Sequence, residues 1–301
     1  MAPPTCIKIA LDWTPNTNHT GLYVALERGF YKEHNLDVRL VSPDPSYSTT
    51  PAKQLERGEV DLAICPSESC IAYRESGKMQ LQAIFAILQR DASAIVSTKL
   101  DNIGDLGKGV YGSYNARYED DIVRAMVGHD GGQSSKMNIT NSAGKLDLFE
   151  ELKRGNIDAT WIFVPWEGVE AEMEGLGLNI FKAEDYGVPY GYSPVIAWNA
   201  ASSAVSKETL RSFVAATKKG YTFAKDNVQA SAAVLSRHCQ PSRSEEFLIR
   251  SQTSINDFYG TVDEVGCMQE EKWQSWLQWL KDNELLKTNI LAGELFIAMD
   301  T

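Results

Sequence analysis

The feature that most constrains this chain is a repeated alternation of short β-rich runs with helical segments, each run ending in a polar turn. Lys8 to Asp12 reads as a strand, and Gly21 to Glu33 as a helix with Leu22, Ala25, Leu26 and Phe30 on one face. Asp37 to Val41, Val60 to Cys65 and Gln82 to Leu88 read as further strands. Between them lie helices at Pro51 to Arg57, stopped by Gly58, and Glu68 to Glu75, ended at Gly77. Such alternation predicts α/β layers around a largely parallel sheet.

After Ser97 the pattern restarts. Gly109 to Tyr111, Ile139 to Asn141 and Ala159 to Val164 read as strands. Arg117 to Val127, Leu146 to Arg154 and Trp166 to Glu174 read as helices. Beyond Val195 the chain turns mostly helical, with Lys207 to Lys225, Val228 to Arg237 and Glu270 to Asn283 the best-patterned stretches. Trp273, Trp276, Leu277 and Leu280 recur at helical spacing, which suits core packing. At ~100 to 200 residues per domain, 301 residues favour two lobes.

No run approaches the ~18 to 20 consecutive apolar residues of a membrane span. A net charge of -11 argues against nucleic acid, whose binding depends on basic side chains neutralising phosphates. The five cysteines (Cys6, Cys65, Cys70, Cys239 and Cys267) form no CxxC pair and have no histidine at zinc spacing, so no metal site is expected. Met1 to Thr5 lacks the basic and apolar regions of a secretory leader, which points to the cytoplasm; a trimmed leader would instead place the protein in the periplasm or outside the cell.

Five turns carry the candidate site residues. In open α/β sheets ligands bind at the carboxyl ends of strands, where Asp12-Trp13-Thr14-Pro15-Asn16-Thr17-Asn18-His19 should lie. Trp13 offers a stacking face, and Asn16 and Asn18 offer donors and acceptors; alternatively Asn18 or Thr20 caps the helix. His19 reads as a structural hydrogen-bonder. Pro66-Ser67-Glu68-Ser69 is a second such turn, with Ser67 as ligand contact or plain N-cap and Glu68 beside it. Gly112 to Arg117, with Tyr114 and Asn115, has the make-up of a backbone cradle for phosphate or carboxylate but lacks P-loop spacing. Trp166 and Glu167 follow the Ala159 to Val164 run; Glu167 suits a helix start, or the amino edge of an aminopyrimidine. Glu170, Glu172 and Glu174 read as a solvated face. The fifth turn, Tyr186 to Pro194, is read as hinge-adjacent, with Tyr190 or Tyr192 facing a cleft.

The segments LDWTPNTNHTGLYVALERGFYKEHNLDV, GEVDLAI, NIDATWIFVPWEGVEAEMEG and DYGVPYGYSPVI, in this order, resemble the SsuA/THI5-like (NMT1) family, within the type II periplasmic-binding-protein fold. The resemblance is greatest to bacterial receptors for thiamine pyrimidine precursors and runs from about Lys8 to Asn199. It implies a two-lobed α/β protein with a ligand cleft between the lobes: residues 1–96 with 196–301 as one lobe, 97–195 as an inserted second. By motif, Trp13, Asn16, Asn18 and His19 would line the first wall with Ser67 and Glu68. Tyr114, Asn115, Trp166, Glu167 and Tyr190 would line the second.

The resemblance implies a binding protein for a small heteroaromatic ligand, needing no cofactor, and an ABC permease as partner if it is exported. Fungal members of the family are enzymes that make hydroxymethylpyrimidine phosphate with pyridoxal phosphate and iron. Their lysine and histidine correspond here to Cys65 and Ser69, and their cysteine-rich segment has no counterpart. Thiaminase I, with the same fold, pairs a cysteine nucleophile with a glutamate base; Cys65 or Cys70 with Glu167 is the nearest imitation. No catalytic residue is therefore expected.

Overall fold

A computed structural model describes residues 3–44, 46–141 and 147–299. Its strands, in chain order, are β1 (Thr5–Ala10), β2 (Leu36–Val41), β3 (Leu62–Cys65), β4 (Leu81–Ala86), β5 (Ser93–Ser97), β6 (Val110–Gly112), β7 (Asn138–Thr140), β8 (Ala159–Phe163), β9 (Asn179–Phe181) and β10 (Val195–Asn199). The chain divides into two compact units. One holds the described residues up to Asp91, Gly191–Leu277 and those from Leu286 onward; the other holds Ala92–Tyr190 with Gln278–Leu285.

Each unit is built on a five-stranded sheet, ordered β2-β1-β3-β10-β4 in the first and β7-β6-β8-β5-β9 in the second. In the first, β1 runs parallel to β2 and β3, and β10 is antiparallel to both β3 and β4. In the second, β6 runs parallel to β7 and β8, and β5 is antiparallel to both β8 and β9. Four strands of each sheet therefore point one way and a single strand is reversed. That strand is the first one after the chain enters the unit, β5 following Asp91 and β10 following Tyr190. Because β5 pairs wholly within the second sheet, the division falls after Asp91, earlier than the change after residue 96 read from the sequence.

The expected helix from Gly21 to Glu33 is two helices, Thr20–Glu27 and Phe30–Glu33. They are separated by Gly29 at φ +78°, a left-handed conformation that ends one helix and redirects the next. Leu146, the expected start of another helix, lies outside the described residues; the helix observed is Leu148–Arg154. Among the described residues no helix is long and apolar enough to cross a membrane.

One helix pair fixes the geometry of the first turn. Lys207–Asp226, capped by the Ser206 hydroxyl accepting the Thr209 amide, buries Phe213, Thr217, Gly220 and Tyr221. It crosses Thr20–Glu27 so closely that a Cβ on Gly220 would lie 2.1 Å from the Gly21 carbonyl, and one on Gly21 would lie 2.3 Å from the Tyr221 ring. Two glycines thus let the backbones meet, and Tyr221 reaches over to donate its hydroxyl proton to the Asn18 carbonyl at 2.6 Å.

Candidate functional site

The turn after β1 is held from within. Asn16, rather than Asn18 or Thr20, caps the next short helix, its side-chain oxygen accepting the Asn18 amide at 2.8 Å. His19 completes a capping box in the position where glutamate is usual: its Nδ1 accepts the Asn16 amide at 3.3 Å and its Nε2 lies 2.8 Å from Asp12 Oδ1. An acceptor at Nδ1 leaves the proton on Nε2, facing the carboxylate. His19 is wholly buried, and Asn16 and Asn18 are nearly so. Tyr259 donates to the Thr17 carbonyl, and the Thr17 and Ser251 hydroxyls meet at 2.8 Å. Of this turn, Asp12, Trp13 and Thr14 remain half-exposed.

Trp13 has a partner that the sequence reading missed. The Tyr47 ring lies 4.6 Å from it, centroid to centroid, inclined at 41°, and the Tyr47 hydroxyl accepts the Thr14 amide at 2.9 Å. Tyr47 adopts φ +49° in a loop gathered by Asp44, whose carboxylate accepts the Ser46 amide at 2.9 Å, the Ser48 amide at 3.1 Å and the Ser48 hydroxyl at 3.0 Å. The Asp-x-Ser-x-Ser spacing was the available signal.

Ser67 begins the Ser67–Ser76 helix rather than capping it; Pro66 occupies the cap. The Ser67 amide donates to the Tyr192 carbonyl at 3.0 Å, and its hydroxyl to Glu68 Oε2 at 3.3 Å. Both residues are buried. Gly191 presses on this corner: a Cβ there would stand 2.5 Å from Ser67 Oγ and 2.7 Å from Trp276 Cδ1. Tyr192 is a core residue, its ring beside Trp273 and its hydroxyl accepting the Gln269 amide at 2.9 Å, so it does not serve as a binding-face tyrosine.

In the second unit the turn after β6 departs from expectation. Its backbone amides are present, but the receptor they form is already filled by Glu119. The Glu119 carboxylate accepts the Tyr114 amide at 3.0 Å, the Ala116 amide at 2.9 Å and the Tyr111 hydroxyl at 2.8 Å. The Asn115 amide donates to Ser113 Oγ at 2.9 Å, and that hydroxyl donates to Asp120 at 2.7 Å. Burial raises the Glu119 carboxyl above its ordinary value despite these donors. Asn115 is exposed at φ +57°, whereas Tyr114 packs against the core around Leu148, Phe149 and Ile162.

The turn after β8 gathers Tyr114 and Glu167 into one neighbourhood. Burial, then the charges of Glu167 and Glu119, push the Tyr114 hydroxyl pKa well up. Glu167 is half-exposed and its Oε2 accepts the Phe163 amide at 3.0 Å, which fixes the carboxylate's direction. Trp166 is buried, and Tyr190 instead meets Trp161, their ring centroids 5.4 Å apart at 54°, both half-exposed. The glutamates beyond are not a plain solvated face: Lys153 donates to Glu170 at 3.0 Å and to Glu174 at 3.2 Å.

Cys65 and Cys70, the nucleophiles of a thiaminase-like arrangement, are both enclosed. A nucleophilic cysteine needs access and a lowered pKa, yet Cys70 is fully buried, its thiol pushed well up by its hydrogen bond with Cys65 and by burial; Cys65 is buried too. At the positions that the resemblance gives to the lysine and histidine of the pyridoxal phosphate enzymes stand Cys65 and Ser69, and the Tyr114 and Ala116 amides of the β6 turn are bonded to Glu119.

The family described as NMT1/THI5 like matches residues 16–231. The formylaminopyrimidine-binding protein of Halalkalibacterium halodurans is 25% identical over 304 aligned positions, covering 96% of this chain and 89% of that protein. Among solved structures, the ligand-binding component of an ABC-type import system from Staphylococcus aureus superposes with a TM-score of 0.71 at 16% identity, over 98% of this chain and 97% of that one. The alkanesulfonate-binding protein SsuA of Xanthomonas axonopodis pv. citri gives 0.73 at 11% identity, over 99% and 100%. The fold is that of the periplasmic binding proteins, and the chain belongs to the NMT1/THI5-like family.

Proposed function

We propose that this protein binds a small thiamine-type aminopyrimidine and leaves it chemically unchanged, in the service of thiamine-precursor uptake or salvage. The observation that carries the reading is a half-exposed stacking ring in one strand-end turn and an oriented carboxylate in another: Trp13 on Tyr47, and Glu167 on the Phe163 amide. An aminopyrimidine has two apolar faces for aromatic contact and an edge of N–H donors that a carboxylate can accept. Trp13, Glu167, Tyr114 and Tyr190 are the candidate ligand-contacting groups of this proposal. Asn16, Asn18, His19, Ser67 and Glu68 shape the first unit's turns from behind.

Similarity to a protein named for formylaminopyrimidine binding supports the ligand class. Where the protein is exported, its partner is an ABC-type permease, by analogy with the import component from Staphylococcus aureus; in the cytoplasm the same binding serves salvage. Thermal unfolding with and without formylaminopyrimidine tests the reading. Ligand at 100 times Kd stabilises the folded state by about 2.7 kcal/mol, a rise of several degrees. An unchanged melting temperature at millimolar ligand would sink it.

A further inference from the structure

In α/β proteins the backbone amides where a strand runs into a helix are the usual receptors for phosphate, sulfonate and carboxylate groups. Four such turns of this protein commit amides to its own oxygens. After β1 the Asn18 amide donates to the Asn16 side chain at 2.8 Å, and after β3 the Ser67 amide donates to the Tyr192 carbonyl at 3.0 Å. After β8 the Phe163 amide donates to Glu167 at 3.0 Å.

The turn after β6 is the most complete case. Three consecutive amides, of Tyr114, Asn115 and Ala116, are all engaged, two of them by one carboxylate. That carboxylate belongs to Glu119, which is 3% exposed and accepts a third hydrogen bond from the Tyr111 hydroxyl. Glu119 also opens the Glu119–His129 helix, followed by Asp120 and Asp121, so the helix's own acids already meet its positive end. The protein carries a built-in anion where a ligand's anion would otherwise bind.

We infer that Glu119 is a specificity-determining residue that restricts this protein to ligands without a phosphate or sulfonate group. The inference rests on the aminopyrimidine reading and narrows it to uncharged or cationic pyrimidines. An anionic substituent reaching this turn finds the Tyr114, Asn115 and Ala116 amides already bonded and meets two carboxylates, Glu119 and Glu167, whose fields both act on the Tyr114 hydroxyl. The fold does not dictate this choice, since the superposable SsuA of Xanthomonas axonopodis is an alkanesulfonate-binding protein. The selectivity lies in what fills the turn.

Calorimetric titration of the intact protein with hydroxymethyl aminopyrimidine, its phosphate monoester and ethanesulfonate tests the inference. The alcohol is expected to bind, the monoester at least ~30-fold more weakly, and ethanesulfonate not at all. Glu119→Gln keeps the shape and removes the charge, so the monoester's disadvantage should shrink at least ~threefold. A monoester that binds wild-type protein as tightly as the alcohol overturns the inference, as does ethanesulfonate binding, or an unchanged ratio in folded Glu119→Gln protein. Should that variant fail to fold, the wild-type ratio decides alone. If neither pyrimidine binds, the functional reading falls and the inference with it.

Discussion

His19 Nε2 stands 2.8 Å from Asp12 Oδ1 while Nδ1 of the same ring accepts the Asn16 amide, so one buried imidazole ties together the turn that follows β1. Its removal leaves a buried amide and a carboxylate without their partner and opens a void. His19→Ala is therefore expected to destabilise the protein by roughly 2 to 4 kcal/mol. Urea unfolding checks this, and a loss below ~0.5 kcal/mol would show that the histidine does not hold the turn.

The aromatic pair of the same unit should respond to acid. Hydrogen bonds from the Ser46 hydroxyl and the Ser48 amide, the largest causes, lower the Asp44 carboxyl from 3.8 to about 2. A carboxylate with a depressed folded-state pKa contributes order that is present above its ordinary value and lost as pH falls toward the depressed one. Tryptophan emission should thus report release of the Tyr47 loop from Trp13 between about pH 4 and 2. An Asp44→Asn variant that shows the same acid step would refute the link.

Gly191 lies where the chain re-enters the first unit, and no side chain fits there. With Ser67 Oγ at 2.5 Å and Trp276 Cδ1 at 2.7 Å from an added Cβ, Gly191→Ala should cost about 1 to 3 kcal/mol. Chemical denaturation reads the change, and a neutral effect would mean that this corner yields.

The cysteines divide sharply by environment. Cys6 and Cys267 are exposed; Cys65, Cys70 and Cys239 are buried, with Cys239 raised to about 11 by burial. Mass spectrometry after brief iodoacetamide treatment at pH 8 should find the labels on Cys6 and Cys267 in folded protein, and on all five cysteines in denaturant. Rapid native labelling of Cys65 or Cys70 would revive a thiaminase-like nucleophile.

Much of this was legible in the sequence because strand and helix periods are local. The alternation before and after Ser97 announced two α/β units, and the DWTPN and WEG motifs singled out Trp13 and Glu167, the groups proposed above to meet the ligand. What escaped depended on partners far along the chain. Tyr47 sits 34 residues from Trp13 yet supports its ring. Nothing local in the sequence singles out Glu119, and only the folded turn shows that it engages the Tyr114 and Ala116 amides. Tyr190 and Tyr192 were equivalent on paper, and packing against Trp273 sends Tyr192 into the core while Tyr190 meets Trp161.

The most direct test of the account is calorimetric titration with formylaminopyrimidine of the wild-type protein, Trp13→Ala and Glu167→Gln. Stacking and a charge-assisted hydrogen bond each contribute on the order of 1 kcal/mol or more. Saturable one-to-one binding is expected, weakened at least ~tenfold by either substitution, which corresponds to about 1.4 kcal/mol. No saturable heat with wild-type protein at millimolar ligand, or unaltered affinity in both variants, would contradict it.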